Sequence, residues 1–258
     1  MHATPFLRLA ALALFLCSGA FAQAPQAPAY EPSVGQQGKD VVWVPTSQAL
    51  LKKMLDMARV TPKDFVMDLG SGDGRTVIEA ARRGARALGI EYDADMVALS
   101  RANAEKAGVS RRARFRKADL FETDFSQATV ITMFLLPSIN LKLRPRLLGL
   151  KPGTRIVSNT FTMDEWAPDD TETLKSDSGC ESWCTALLWI VPARVAGRHS
   201  LPQGELVLKQ EFQRLSGTLR TGGATYALEG RVRGEELEFR AGGRKYRGRV
   251  KGKALDLR

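Results

Sequence analysis

The stretch Phe65-Val66-Met67-Asp68-Leu69-Gly70-Ser71-Gly72-Asp73-Gly74 sets the fold class of this chain. A short apolar run closes on an acid, three glycines follow at alternate positions, and from Thr76 to Arg83 the apolar residues return at helical spacing. This is a strand, a glycine loop and a helix. Downstream the alternation continues with strands predicted at Ala87 to Ile90, Arg114 to Lys117, Thr129 to Phe134 and Arg155 to Val157. Helices are predicted from Asp95 to Ala107, stopped by Gly108, and from Asn140 to Leu150, stopped by Lys151-Pro152-Gly153. Thr185 to Val191 reads as the last strand of this region. Upstream, Thr46 reads as the N-cap of an amphipathic helix carrying Leu50, Leu51, Met54, Leu55 and Ala58. Strands alternating with helices of about ten residues predict right-handed βαβ units around a parallel sheet.

From Gly204 the apolar period changes to two, with Leu206, Leu208 and Phe212, then Tyr226 and Leu228, then Leu237 and Phe239. Turns at Gly222-Gly223, Gly234 and Gly242-Gly243 predict a small antiparallel module of four to six strands. Its last strand would place Lys245, Arg247, Arg249, Lys251 and Lys253 on one face. That face reads either as a solvated outer surface or as one for an anionic partner, a phosphate-bearing polymer or lipid headgroups. The charge distribution agrees. Residues 194 to 258 hold fifteen Lys and Arg against seven Asp and Glu, whereas residues 23 to 193 hold twenty-two against twenty-one.

With 258 residues, 44% of them hydrophobic and 26% charged, and only three cysteines, the composition excludes a disordered chain, a collagen-like repeat and a disulfide-dense mini-domain. Residues 1 to 22 have the order of a secretory signal peptide: Arg8, the apolar run Leu9 to Cys17, then Ala20-Phe21-Ala22. The run is shorter than the 18 or so residues that a membrane span needs, and Leu16 before Cys17 argues against a lipoprotein signal. The expected organisation is a signal peptide at 1–22, a linker at 23–40, an α/β domain at 41–193 and the basic module at 194–258, with no transmembrane segment in the mature chain. Export would leave Cys180 and Cys184, spaced C-x-x-x-C in a polar loop, where a bridge can persist. A metal site is not expected, because the mature chain keeps a single histidine, His199.

The chemistry lies in the glycine loop and the acids around it. Asp68 and Asp73 would repel a pyrophosphate but hold an ammonium or sulfonium, which favours S-adenosylmethionine over NAD. Gly70, Ser71, Gly72 and Gly74 would let the backbone approach that ligand. Glu91, after the second strand, is placed for ribose hydroxyls. Asp119, in Lys117-Ala118-Asp119-Leu120-Phe121, is placed for the adenine amino group, with Leu120 beside it. Three acids at successive strand ends behind one glycine loop are far more specific than any of them alone.

On these residues, Val44 to Val191 resembles the class I S-adenosylmethionine-dependent methyltransferases. Val44-Pro45-Thr46, Asp68 through Arg75, Leu135-Leu136-Pro137 with Asn140, and Phe161 with Trp166-Ala167-Pro168-Asp169 resemble more narrowly the small protein-lysine methyltransferases of archaea and mitochondria. The mitochondrial members act on a component of ATP synthase and on the adenine nucleotide translocase. The resemblance implies a Rossmann-like seven-stranded sheet with the last strand antiparallel, S-adenosylmethionine as methyl donor with Thr46 among its contacts, and a lysine-bearing protein as acceptor. Family members often carry His-Asp before the Phe, where this chain has Asn159-Thr160. The leader and the basic module also depart from the pattern. Methyl transfer is an in-line displacement that positioning can drive without a dedicated base. A lysine, with an unperturbed pKa of about 10.4, must be received as the neutral amine. Phe134, Leu136, Pro137, Asn140, Asn159 and Trp166 follow the fourth and fifth strands and are the expected acceptor channel. Competing readings are an exported non-catalytic binding protein that keeps the fold, since the donor is made in the cytosol, and a methyltransferase for RNA or a small molecule. Phe134-Leu135-Leu136-Pro137 offers no Asn-Pro-Pro-Tyr-like clamp for a base amine.

Overall fold

Side chains along β1 (Phe65–Leu69) alternate between two cores, and that alternation fixes where its acid points. A computed structural model describes residues 30–202, 204–252 and 254–257. The expected signal peptide, residues 23–29 of the linker, and Lys253 lie outside them. Val66 packs with α1 (Gln48–Met57), α2 (Arg75–Arg82) and α3 (Ala94–Lys106), whereas Met67 and Leu69 pack with α4 (Pro137–Leu147), Trp166 and Trp189. Asp68 therefore shares the α1 and α2 face with Val66, one residue before the glycine loop.

The remaining strands of this sheet are β2 (Arg86–Glu91), β3 (Ala113–Lys117), β4 (Val130–Met133), β5 (Arg155–Asn159), β6 (Asp170–Thr173) and β7 (Thr185–Ile190). Their order is β3-β2-β1-β4-β5-β7-β6, with β7 antiparallel to both neighbours and the first five strands parallel. This is the seven-stranded Rossmann-like sheet that the resemblance implies. The chain runs outward through β2 and β3 and then crosses back over β1 to β4. A crevice opens at that reversal, beyond the carboxyl ends of β1 and β4.

Three local details differ from expectation. The side chain of Ser47, not Thr46, caps α1, accepting from Leu50 N at 3.2 Å. Helix α4 starts at Pro137, three residues earlier than the spacing predicts, because proline at the first helical position loses no hydrogen bond. β6 carries no apolar period, since all four of its residues are exposed; pairing with β7 alone makes it a strand.

A second sheet follows, formed by β8 (Gly197–Leu201), β9 (Gly204–Glu211), β10 (Arg214–Thr221), β11 (Ala224–Arg233), β12 (Glu236–Ala241), β13 (Arg244–Lys251) and β14 (Ala254–Leu257). It is an antiparallel meander of seven strands rather than four to six, the additional ones being short edge strands. The basic strand is accordingly β13, not the last. Its outward bases are interleaved with acids: Lys245 and Arg247 meet Glu238 at 2.8 and 3.6 Å, Arg249 meets Glu235 at 3.7 Å, and Lys251 meets Asp256 at 3.2 Å.

Phe212 does not join the apolar face of this sheet. It sits in the β9–β10 turn with φ +51° and stacks on Trp166, ring centroids 6.3 Å apart. Around that contact Gln213 Nε2 donates to Ala167 O at 2.7 Å, Ala193 N donates to Gly234 O at 2.7 Å, and Arg231 Nη2 donates to Asp169 Oδ1 at 2.6 Å. The Asp169 side chain is fully buried, and its second oxygen accepts from Ile190 N at 2.8 Å. Trp166 is thus part of the joint between the sheets, not of an acceptor channel. Replacing it with alanine removes a fully buried ring, and Trp166→Ala is expected to cost about 3–5 kcal/mol in urea unfolding, with donor affinity of the folded protein unchanged.

Candidate active site

Asp68 lies directly between Gly89 of β2 and Thr132 of β4 in the sheet register. On one side Gly89 has no side chain, and Ser71 and Phe115 fill the place of its Cβ; on the other Thr132 Oγ1 donates to Asp68 Oδ1 at 2.6 Å. The carboxyl is 5% exposed and has no cationic partner among the described residues. Burial pushes its pKa up to about 7, the hydroxyls of Thr132 and Thr76 pull it down, and the negative charges of Glu91 and Asp73 add to the rise.

The loop after it is shaped by close approach. Gly70 N and Ser71 N both donate to Ile90 O, at 2.9 and 3.0 Å, and Gly74 N closes the turn on Ser71 O at 2.9 Å before α2 begins. The Ser71 hydroxyl is turned toward Gly89, where a Cβ would come within 2.5 Å of it, so this side chain packs beneath the loop. Gly72 has φ +53°, and a Cβ there would lie 2.6 Å from Trp43 Nε1. Asp73 does not face the cleft as a free acid. Both its oxygens are taken by Arg75, at 3.0 Å from Nε and 2.6 Å from Nη2, and Arg75 Nη1 donates to Thr46 O at 3.0 Å. Sequence reasoning gave Asp73 to the ligand; its charge is neutralised by the arginine two residues on.

Glu91 ends β2 and accepts from Gly72 N at 2.9 Å, Tyr92 N at 2.7 Å and Asp93 N at 3.0 Å. A carboxylate has about four acceptor positions, so roughly one is left for a ribose hydroxyl. Asp119 accepts from Phe121 N at 2.8 Å and forms an ion pair with Lys39, which holds its carboxyl below the usual range. Lys39 also lies 4.7 Å from the centroid of the Tyr92 ring. Residues 36–46, the end of the expected linker and the segment after it, form a strap along the cleft. The Lys39 contacts were not foreseen, because a polar segment rich in Gly, Gln and Lys carries no periodic signal.

On the other side of β1 the cleft is aromatic. The Phe134 and Phe161 rings stack with centroids 5.8 Å apart, and Trp183 meets Phe134 edge-on at 6.1 Å. Leu136 also lines this part. The remaining expected channel residues do not. Asn140 is fully buried, and its Nδ2 donates to the carbonyls of Phe161 and Thr162, both at 3.2 Å. Asn159 is 1% exposed, and its Nδ2 donates to Thr46 Oγ1 at 3.2 Å. Pro137 starts α4. Trp183 was missed; its one sequence signal is an aromatic residue inside a five-residue loop that Cys180 and Cys184 close with a disulfide, Cα atoms 5.7 Å apart.

The cleft has a volume of about 380 Å³, within the range of a small-molecule site. Its loop is bent at Gly72, Glu91 keeps an acceptor position open, and its buried acid has no cation of its own among the described residues, so the residues present fit a ligand with a cationic centre and a ribose. S-adenosylmethionine supplies such a centre as a sulfonium-borne methyl group. Asp68 would hold the positive end of such a donor, Glu91 and Asp119 would take its nucleoside end, and the aromatic walls would exclude water where an acceptor enters. Among the described residues no His, Cys, Asp or Glu cluster is placed to hold a metal ion.

A model of the family described as the ANTKMT methyltransferase domain matches residues 68–170. A protein-lysine N-methyltransferase of Saccharolobus islandicus is 44% identical over 142 residues, covering 54% of this chain and 87% of that protein. The chain belongs to the small protein-lysine methyltransferase family. The adenine nucleotide translocase lysine N-methyltransferase of Mus musculus is 35% identical over 130 residues, 50% of this chain and 56% of that one, so the match spans little more than half of that relative. A solved RNA methyltransferase from Salinibacter ruber, in complex with S-adenosyl-L-homocysteine, is 49% identical with a TM-score of 0.55, covering 59% of this chain and 96% of its own. The methyl donor is S-adenosylmethionine.

Binding a cation favours the ionised form of Asp68. With its pKa at about 7, donor affinity measured by calorimetry is expected to be roughly tenfold weaker at pH 6 than at pH 8. Folding has the opposite sign. The folded value lies above the ordinary carboxylate value of 3.8, so the stability associated with Asp68 is present below that value and is lost as pH rises toward 7. Asp68→Asn is therefore expected to raise the melting temperature at pH 8 while abolishing donor binding, a split that a merely structural acid would not produce. Gly72→Val, which drives a side chain into Trp43, is expected to abolish donor binding with the sheet intact by circular dichroism.

Proposed function

We propose that this methyltransferase transfers the methyl group of S-adenosylmethionine to the ε-amine of a lysine in a protein. The observation that carries the proposal is the acceptor side of the cleft, where Phe134, Leu136 and Phe161 present apolar surface and no ionisable side chain. An ammonium entering such surroundings is desolvated and favours its neutral, nucleophilic form. No catalytic base is required of the chain. The activities of the archaeal and mouse relatives support the same acceptor.

A second reading, an RNA acceptor, is favoured by the name of the Salinibacter protein and by the bases of β13. Against it, Phe134-Leu135-Leu136-Pro137, the four residues that follow β4, carry no polar side chain to grip a base amine. The test is methyl transfer from labelled donor into a whole-cell extract, followed by separate protease and ribonuclease digestion. Label is expected to resist ribonuclease, yield to protease and appear as methyl-lysine after acid hydrolysis. Label released by ribonuclease would overturn the lysine reading.

We also propose that the chain acts after export, with cleavage following Ala22. The composition of residues 1–22 and the Cys180–Cys184 disulfide support it, because such bonds persist in oxidising compartments. N-terminal sequencing of protein from the cell envelope is expected to begin at Gln23; a cytosolic chain beginning at Met1 would overturn it.

A further inference from the structure

Trp183 is 45% exposed, yet its ring stands at the mouth of the cleft instead of over the core. Nothing in folding calls for a large aromatic there. Its backbone is also costly, with φ +50°, a left-handed conformation that bulky side chains rarely adopt. Two features hold it. The disulfide between Cys180 and Cys184 closes the loop around it, and Leu174 N donates to Cys184 O at 2.9 Å, fastening the loop to the sheet.

Its neighbours are held with equal care. Phe161 follows Thr160, another non-glycine residue in the left-handed region at φ +58°. The Phe161 carbonyl accepts from both Ser158 Oγ at 2.8 Å and Asn140 Nδ2 at 3.2 Å. Phe134 packs between the other two rings. Strained backbone that the surroundings over-determine is a mark of ligand clamps, and a row of three rings lining one part of the cleft suits a soft cation.

We infer that Phe134, Phe161 and Trp183 form an aromatic receptacle for the lysine side chain and its methylated products, and that the Cys180–Cys184 disulfide holds Trp183 in place to complete it. The inference rests on the lysine reading above. The rings shield the alkyl stem from water, and their faces stabilise an ammonium that has gained methyl groups. Trp183 is a binding residue here, and the two cysteines act through it.

The test uses poly-L-lysine as acceptor with labelled donor, and the full protein. Trp183→Leu, which keeps the apolar bulk but not the π face, is expected to raise the acceptor KM roughly tenfold with donor affinity unchanged, and Trp183→Phe to restore most of it. Dithiothreitol, which breaks the disulfide into two thiols as it cyclises, is expected to reproduce that KM in the wild type and to have no further effect on Trp183→Leu. As a direct measurement, Nα-acetyl-Nε-dimethyl-lysine amide is titrated by NMR in the presence of S-adenosylhomocysteine; it is expected to bind the wild type and not Trp183→Leu. An unchanged KM and unchanged amide binding in Trp183→Leu overturn the receptacle and leave the lysine reading standing. A wild type that binds donor yet neither labels poly-L-lysine nor binds the amide overturns both.

Discussion

An acid buried at the end of the central strand, with no cation among the described residues to neutralise it, is the constraint around which this enzyme is arranged. Strand alternation places Asp68 on the side of β1 that faces α1 and α2, and the register sets Gly89 and Thr132 against it. Isolated, such a group costs free energy, since burial opposes ionisation. A cationic ligand reverses that cost. The polar neighbours reinforce the division of labour, with Asp73 held by Arg75, Asp119 by Lys39 and Glu91 by three backbone N–H groups, so Asp68 is the acid left to a cationic ligand.

The glycine loop and the successive acids were legible in the sequence because each rests on chain-local chemistry: a strand ending in an acid, alternate glycines, then a helix. The parallel run of the first five strands followed from the same alternation. What escaped was set by distant partners. β6 has no apolar residue and exists through pairing with β7. Asp73 read as a ligand because the sequence does not show where the Arg75 guanidinium turns. Trp166 follows the fifth strand, which suggested a place in the channel, whereas its ring packs on Phe212 and Trp189. Asn140 and Asn159 stand behind the cleft wall, fixing the backbone of Phe161 and the hydroxyl of Thr46.

The second sheet is joined to the first by specific contacts. Asp169 is buried between Arg231 and Ile190 N, and the Phe212 ring lies parallel to that of Trp166 within 15°. The segment that bears Phe161 leads into Trp166 and Asp169, so the wall of the acceptor cleft and the anchor of the module belong to one stretch of chain. The alternating bases of β13, half-balanced by Glu235, Glu238 and Asp256, are carried on a body tied to that wall.

The Lys39–Asp119 pair closes the nucleoside end of the cleft, and its members are partly exposed, so water weakens it. The aromatic rings stand across β1, at the opposite end. The two ends are therefore bounded differently, one by a charge pair that water weakens and the other by packed rings. Raising the salt concentration thus loosens the nucleoside end and leaves the ring-lined end as it was.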